Sequence, residues 1–318
     1  MKHIKYILIL GSAMLFGCAH NTKKVSETTI QETDTQEQTT TQVIHKDMPF
    51  GIEDMVAVGN MVVCKKEANS HVFVCFNTSN FTKMKEFGTI GRSHDEWIQP
   101  HIVARENNGY DIFDNGKNKI LRYDNDTLVS ETEYKNTVAV NNPHMINKMY
   151  GGYSYIEPNK IALVLYDSET YERTDEYAFE DEEKKGNAID WDFMWDGEDS
   201  HIVIAHLYKK EFNVVEINED GKFLQSSRYS GDYTFNPEKH VYYSDVNISN
   251  GFIYLLNQQY VNLEDIDGYS EIDIFDINGK CIKKLQLDTI AQRMCVAGDN
   301  IWLLDIENNL RVLPKHKR

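Results

Sequence analysis

From residue 43 onward the chain is written in short apolar runs divided by polar turns. Its alternation has the two-residue period of strands, and long helical periodicities are missing. Met55-Val56-Ala57-Val58 leads to Met61-Val62-Val63-Cys64 and then to His71-Val72-Phe73-Val74-Cys75-Phe76. The same order returns at Tyr110-Asp111-Ile112-Phe113, at Lys160-Ile161-Ala162-Leu163-Val164, at His201-Ile202-Val203-Ile204-Ala205, at Phe252-Ile253-Tyr254-Leu255-Leu256 and at Asn300-Ile301-Trp302-Leu303-Leu304. The third strand of a unit often ends in Tyr-Asp, Ile-Asn or Phe-Asp. A Gly turn then follows, as in Asn218-Glu219-Asp220-Gly221 and Asp276-Ile277-Asn278-Gly279, where glycine supplies the positive φ of a tight hairpin. Six such units fill residues 53–318 at about 45 residues each, the period of four-stranded propeller blades. A unit this small cannot cover both faces of its own sheet, so the units must pack on one another in a ring. The expected fold is all-β, a six-bladed β-propeller of four-stranded blades. A β-sandwich array is the runner-up, disfavoured because no composition break separates domains. The last unit runs out after its third strand at Leu313-Pro314-Lys315, so the N-terminal stretch Thr41-Gln42-Val43-Ile44-His45 is expected to close the last blade.

The first residues follow another pattern. Met1-Lys2-His3-Ile4-Lys5 is basic, Tyr6-Ile7-Leu8-Ile9-Leu10 is apolar but too short to span a bilayer, and Leu15-Phe16-Gly17-Cys18 follows. This order resembles a bacterial lipoprotein signal, in which the cysteine is acylated and becomes the first residue. The resemblance implies a signal peptide over residues 1–17 and a lipid on Cys18. Residues 18–42 are rich in Thr, Gln and Glu and poor in apolar side chains. They are expected to be a disordered tether holding the domain roughly 25–30 Å from the membrane, ahead of a propeller over residues 43–318.

Net charge changes the choice of partners. The chain carries −17, and loss of residues 1–17 takes it to −19. So acidic a surface repels nucleic acid and anionic headgroups, which leaves the acyl chains as the membrane contact. The expected location is the cell envelope, lipid-anchored on the outer membrane and facing the periplasm, because no acidic cluster follows Cys18.

Gly88-Thr89-Ile90-Gly91-Arg92-Ser93-His94-Asp95-Glu96-Trp97-Ile98-Gln99-Pro100 resembles the glycine-turn, acidic, aromatic segment between early blades of the TolB-like six-bladed propeller lipoproteins of unknown function. Gly91, Glu96 and Trp97 match that pattern, while Ser93-His94 replaces its Gly-Pro. The stretch from His240 to Leu313 resembles the closing blades of the same family. The resemblance implies the fold and transfers no catalytic motif.

In such a ring the loops entering the innermost strands gather at one mouth of the central channel. The candidate ligand-binding residues there are Trp97, His101, His144, Asp190, Asp192, Trp195, His240, Tyr242 and Arg293, with Glu96, Asn142 and Tyr243 beside them. Aromatic faces stack on sugars or peptides and the polar groups orient them. Each of these residues also has a bland reading as blade packing. The leading expectation is a non-catalytic module that binds an envelope protein or a glycan. The alternative is a hydrolase or lyase acting on an extracellular polymer, with Asp190, Asp192, His144, His240 and Arg293 converging in one pocket. No cofactor or metal site is expected: Asp276-Ile277-Asn278-Gly279 lacks the remaining calcium ligands, and nucleotide and nucleophile-elbow signatures are missing. Cys64 and Cys75 flank a turn and could bridge a hairpin. Burial as thiols is the favoured reading for them and for Cys281 and Cys295.

Overall fold

The computed structural model describes residues 24–31, 35–46, 48, 51–105, 108–134, 141–157, 160–178, 193–233, 241–260 and 268–315. The signal-like segment, Cys18, Asp190, Asp192 and His240 lie outside the described residues. Every named element is a strand. Three come first in the chain: β1 (Lys24–Thr29), β2 (Gln36–Thr39) and β3 (Gln42–His45). Blade 1 is β4 (Ile52–Val58), β5 (Met61–Lys66), β6 (Ser70–Asn77) and β7 (Lys83–Thr89). Blade 2 is β8 (Pro100–Ala104), β9 (Tyr110–Asp114), β10 (Lys119–Asp124) and β11 (Thr127–Glu133), and blade 3 is β12 (Asn141–Ile146), β13 (Met149–Glu157), β14 (Lys160–Asp167) and β15 (Arg173–Ala178). Blade 4 holds β16 (Phe193–Glu198), β17 (His201–His206), β18 (Glu211–Ile217) and β19 (Phe223–Ser230). Blade 5 holds β20 (Val241–Ser249), β21 (Phe252–Tyr260), β22 (Gly268–Asp276) and β23 (Cys281–Leu287). Blade 6 holds β24 (Ala291–Ala297), β25 (Asn300–Asp305) and β26 (Leu310–Pro314), and β3 completes it.

The expected closure is therefore present. β3 runs antiparallel to β26, with Gln42 opposite Val312, Val43 opposite Arg311 and His45 opposite Leu310. Ile44 packs into the core between blades 6 and 1, and the His45 ring lies 4.6 Å from that of Phe76. Six apolar clusters fill the six interfaces between blades, one each, which is what a repeat that cannot bury itself requires. The second and third strands of each blade supply most of these residues. Ile202, Val203, Ile204 and Ala205 of β17 are all fully buried, because a strand sandwiched between blades is covered on both faces.

The segment expected to be a free tether is not a coil throughout. β1 pairs in parallel with β19 from Lys24 opposite Gln225 to Thr29 opposite Ser230, and β2 pairs in parallel with β23 from Gln36 opposite Lys284 to Thr39 opposite Leu287. The chain thus runs as a belt over the outer edges of blades 4, 5 and 6. Its composition is too polar to make a core, but an edge strand needs only main-chain partners and one anchor. That anchor is Ile30, 6% exposed, packed between blades 4 and 5.

All four described cysteines are buried thiols. The β5–β6 register puts Cys64 opposite Val74 and Cys75 opposite Val63, so the two thiols point to opposite faces of blade 1. Cys64 enters the core shared with blade 6 and Cys75 the core shared with blade 2. The Asp276 turn is a hairpin, as expected. The Asp276 carboxylate accepts the Asn278 and Lys280 amides, and Gly279 sits at φ 76° where a Cβ would come within 2.0 Å of the Tyr229 ring.

Candidate functional site

The innermost strands of the six blades, β4, β8, β12, β16, β20 and β24, line the axis of the ring. All six run in one direction, from a front face to a back face. At the front face their first residues surround a recess of about 580 Å³. Gln99 and His101 come from blade 2, Asn142 and Tyr153 from blade 3, Phe193, Met194 and Leu207 from blade 4, Val241, Ser244 and Gln258 from blade 5, Gln292 and Arg293 from blade 6, and Glu53, Asp54 and Lys65 from blade 1.

Its charges are largely satisfied from within. The Lys65 ammonium lies 2.5 Å from the Glu53 carboxylate. Arg293 donates from Nε to the Glu53 carbonyl at 2.9 Å and from Nη1 to the Gln292 carbonyl at 3.0 Å, tying blade 6 to blade 1. Burial, reinforced by the Lys65 charge, pushes the His101 imidazole down to about 4, so it is neutral at pH 7. Its Nε2 has no hydrogen-bond partner among the described residues. The amides of Gln99, Asn142 and Gln292 supply donors and acceptors around this ring, and the Tyr153 and Phe193 rings form an edge-to-face pair 5.5 Å apart on one side. Among the described residues no group of three or more His, Cys, Asp or Glu side chains could hold a metal ion.

Of the sequence-selected residues, His101, Asn142 and Arg293 line the recess. Glu96 accepts the Ser93 amide within its own turn, and the others that the structure describes serve the joints between blades. Trp97 is 8% exposed and packs against Phe73 and Phe87 between blades 1 and 2, over Gly88. Trp195 is 1% exposed, and its indole N–H donates to the Asn142 carbonyl at 3.0 Å, joining blade 4 to blade 3. His144 stands edge-on to Trp195 at 4.8 Å, with Nδ1 3.6 Å from the Asp196 carboxylate. Tyr242 donates its amide to the Leu207 carbonyl and meets Tyr233 edge-on, at the front of blades 4 and 5. Trp97 precedes β8, and for Trp195, His144 and Tyr242 on the innermost strands the physical reason is shared. A large ring on an innermost strand has more apolar surface to bury between blades than over an open channel.

Two residues that the sequence reading passed over organise the axis. Asp196 of β16 accepts the Ile248 amide of β20 at 3.0 Å, and Asp245 of β20 accepts the Met294 amide of β24 at 2.8 Å. Asn247, two residues on, accepts the Val296 amide at 2.6 Å. Burial raises both carboxyls, Asp245 to about 7, against the pull of Arg293 and of the amides it accepts. The signal was available as a polar residue at alternate positions of an otherwise apolar inner strand (Asp196 and Glu198, Asp245 and Asn247). On blade 2, Asp111 is fully buried and accepts the Tyr150 hydroxyl, with the Arg122 guanidinium beside it, so it is a joint to blade 3 and not a free acid. Burial raises its carboxyl as well.

No family model matches the chain, and no curated protein matches it. Solved structures do. One is a member of the DUF4221 family from Bacteroides vulgatus, at TM-score 0.62 and 9% identity, with 89% of this chain and 96% of that one covered. Another is a protein from Bacteroides fragilis named as exported by inference, at TM-score 0.54 and 11% identity, with 93% of this chain and 100% of that one covered. At such identity the likeness is one of fold, and the fold that it shows is the six-bladed propeller.

Proposed function

We propose that this chain is an extracytoplasmic lipoprotein of the TolB-like propeller kind, and that the front recess binds a neutral, hydrogen-bonding segment of an envelope protein or glycan without breaking a bond in it. The observation that carries the reading is the lining itself. Its two cations are engaged by Glu53 and by main-chain carbonyls. Its histidine is neutral, and what remains for a ligand is a circle of amides beside an aromatic pair, with the Asp54 carboxylate, which accepts the Met55 amide. Such a surface recognises hydroxyls and peptide groups in preference to phosphates or carboxylates. Export is supported by the Lys2-to-Cys18 pattern and by the designation of the Bacteroides fragilis structure. No described helix is long and apolar enough to cross a membrane. The lipid on Cys18 is the proposed attachment, on the Lys2-to-Cys18 pattern. The catalytic alternative needs Asp190, Asp192 and His240, which lie outside the described residues. Its other two members, His144 and Arg293, face different partners. The test is a photo-crosslinking amino acid placed at Gln99 in cells, with a glycan array probed in parallel. A single adduct lost when Asn142→Ala/Gln292→Ala is introduced beside the probe, or a defined glycan class lost in the same double variant, supports the reading. Adducts that survive that variant refute it.

A further inference from the structure

The belt fixes which way the ring faces. β19 runs from the back face to the front, because three antiparallel steps separate it from the innermost strand β16. β1 is parallel to β19, so Lys24 stands at the back-face end of blade 4, away from the recess. Five residues separate Cys18 from Lys24. Even fully extended they reach only about 20 Å.

The exposed apolar side chains point to the same face. Among the described residues seven large ones stand exposed: Val25, Met84, Ile98, Leu128, Val129, Leu224 and Tyr233. Val25, Met84, Leu128, Val129 and Leu224 all fall within the first three residues of β1, β7, β11 or β19. Each of these strands begins at the back face, since every fourth strand of a blade runs opposite to the first. The five therefore sit on the back rim of blades 1, 2 and 4, and blade 4 lies across the ring from blade 1. Each is 47–52% exposed, where isolated surface residues of a polar, acidic protein would be scattered over both faces.

We infer that the back face of the ring rests on a lipid bilayer. The acyl group on Cys18 delivers the blade 4 edge, and the apolar rim residues of blades 1, 2 and 4 seat the ring flat, so that the channel axis stands across the membrane plane and the recess opens away from it. This rests on the lipoprotein reading above. The bilayer is chosen as occupant because the chain segment that would carry the lipid leaves from this face, within reach of it. Apolar contact also does not require a basic patch. The consequence for the proposed function is direct: the ligand approaches from the aqueous side.

The test compares the acylated full chain on vesicles of phosphatidylethanolamine and phosphatidylglycerol with its soluble Cys18→Ser variant, by hydroxyl-radical footprinting read by mass spectrometry. Oxidation of Met84, Leu128 and Leu224 is expected to fall at least threefold on vesicles, with Ile98, Tyr233 and Met194 unchanged. Equal oxidation in both samples, or protection of Ile98 and Tyr233 instead, overturns the orientation while an acyl mass on Cys18 leaves the lipoprotein reading standing. A Cys18 peptide without acyl mass overturns both. Rim protection by a co-purifying protein, persisting after the vesicles are removed, replaces the bilayer with that partner and overturns the proposal.

Discussion

If β3 is the fourth strand of blade 6, removing it opens the ring. The comparison is between a chain that begins at Gln42 and one that begins at Lys46; both lack β1 and β2, so their difference isolates β3. Three register pairs join β3 to β26, and main-chain bonds of this kind contribute about 1 kcal/mol each. Ile44 is partly buried in the core between blades 6 and 1, worth about 1–2 kcal/mol. The His45 ring packs on Phe76, and its Nε2 lies 2.8 Å from the Phe81 carbonyl, so it ties the last blade to the first. Together these amount to about 5 kcal/mol, a large part of the 5–15 kcal/mol that stabilises a typical domain. At about 2–4 °C per kcal/mol for a chain of this size, the Lys46 chain should unfold at least 10 °C below the Gln42 chain. Far-UV circular dichroism on a thermal ramp measures the two midpoints. Midpoints within about 2 °C of each other would refute the closure, because a strand that completes a ring cannot be removed at no cost.

Other outcomes follow from particular contacts. Gly88 sits at φ 88° with a Trp97 ring carbon 2.1 Å from where a Cβ would stand, so Gly88→Ala should cost at least about 2 kcal/mol in chemical denaturation, through the backbone and the displaced indole. Burial raises the Asp245 carboxyl to about 7, so the folded chain keeps a proton that an unfolded one, with a value near 3.9, releases. Its stabilising contribution is complete below about pH 4 and is lost as pH rises through about 7. Relative to Asp245→Asn, the wild type should therefore lose about 2–4 kcal/mol between pH 4 and pH 8, and parallel stability curves for the two proteins would contradict this. The four described cysteines are buried, and burial raises Cys64, Cys75 (to about 12) and Cys295, so native protein should resist a maleimide and dithiothreitol should leave the melting midpoint unchanged.

The ring was legible in the sequence because it is a repeat. One strand pattern written six times, with an unfinished last copy, dictates both the number of blades and the need for a borrowed strand at residues 41–45. The belt was not legible, since Lys24–Thr29 and Gln36–Thr39 carry almost no apolar signal and fold by adding main-chain bonds to edges that other residues provide. The site was legible only in part, for a related reason. Residue type marks His101, Trp195 and Arg293 equally as mouth candidates, yet which side of an inner strand faces the channel depends on bulges such as those at Ile52/Asp54 and Ala291/Arg293. Asn142 stood among the mouth candidates, but Gln99 and Gln292 carry no motif, and only the closure of the ring brings the three together.

Site-resolved crosslinking in living cells, with the same photoreactive group at Gln99 on the front recess and at Val129 on the back rim, tests the ligand-binding face and the membrane face together. The expected result is a partner adduct from Gln99 that disappears in the Gln292→Ala background, and lipid adducts from Val129. A partner captured from Val129 and nothing from Gln99 would contradict both the recess as binding site and the face assigned to the membrane.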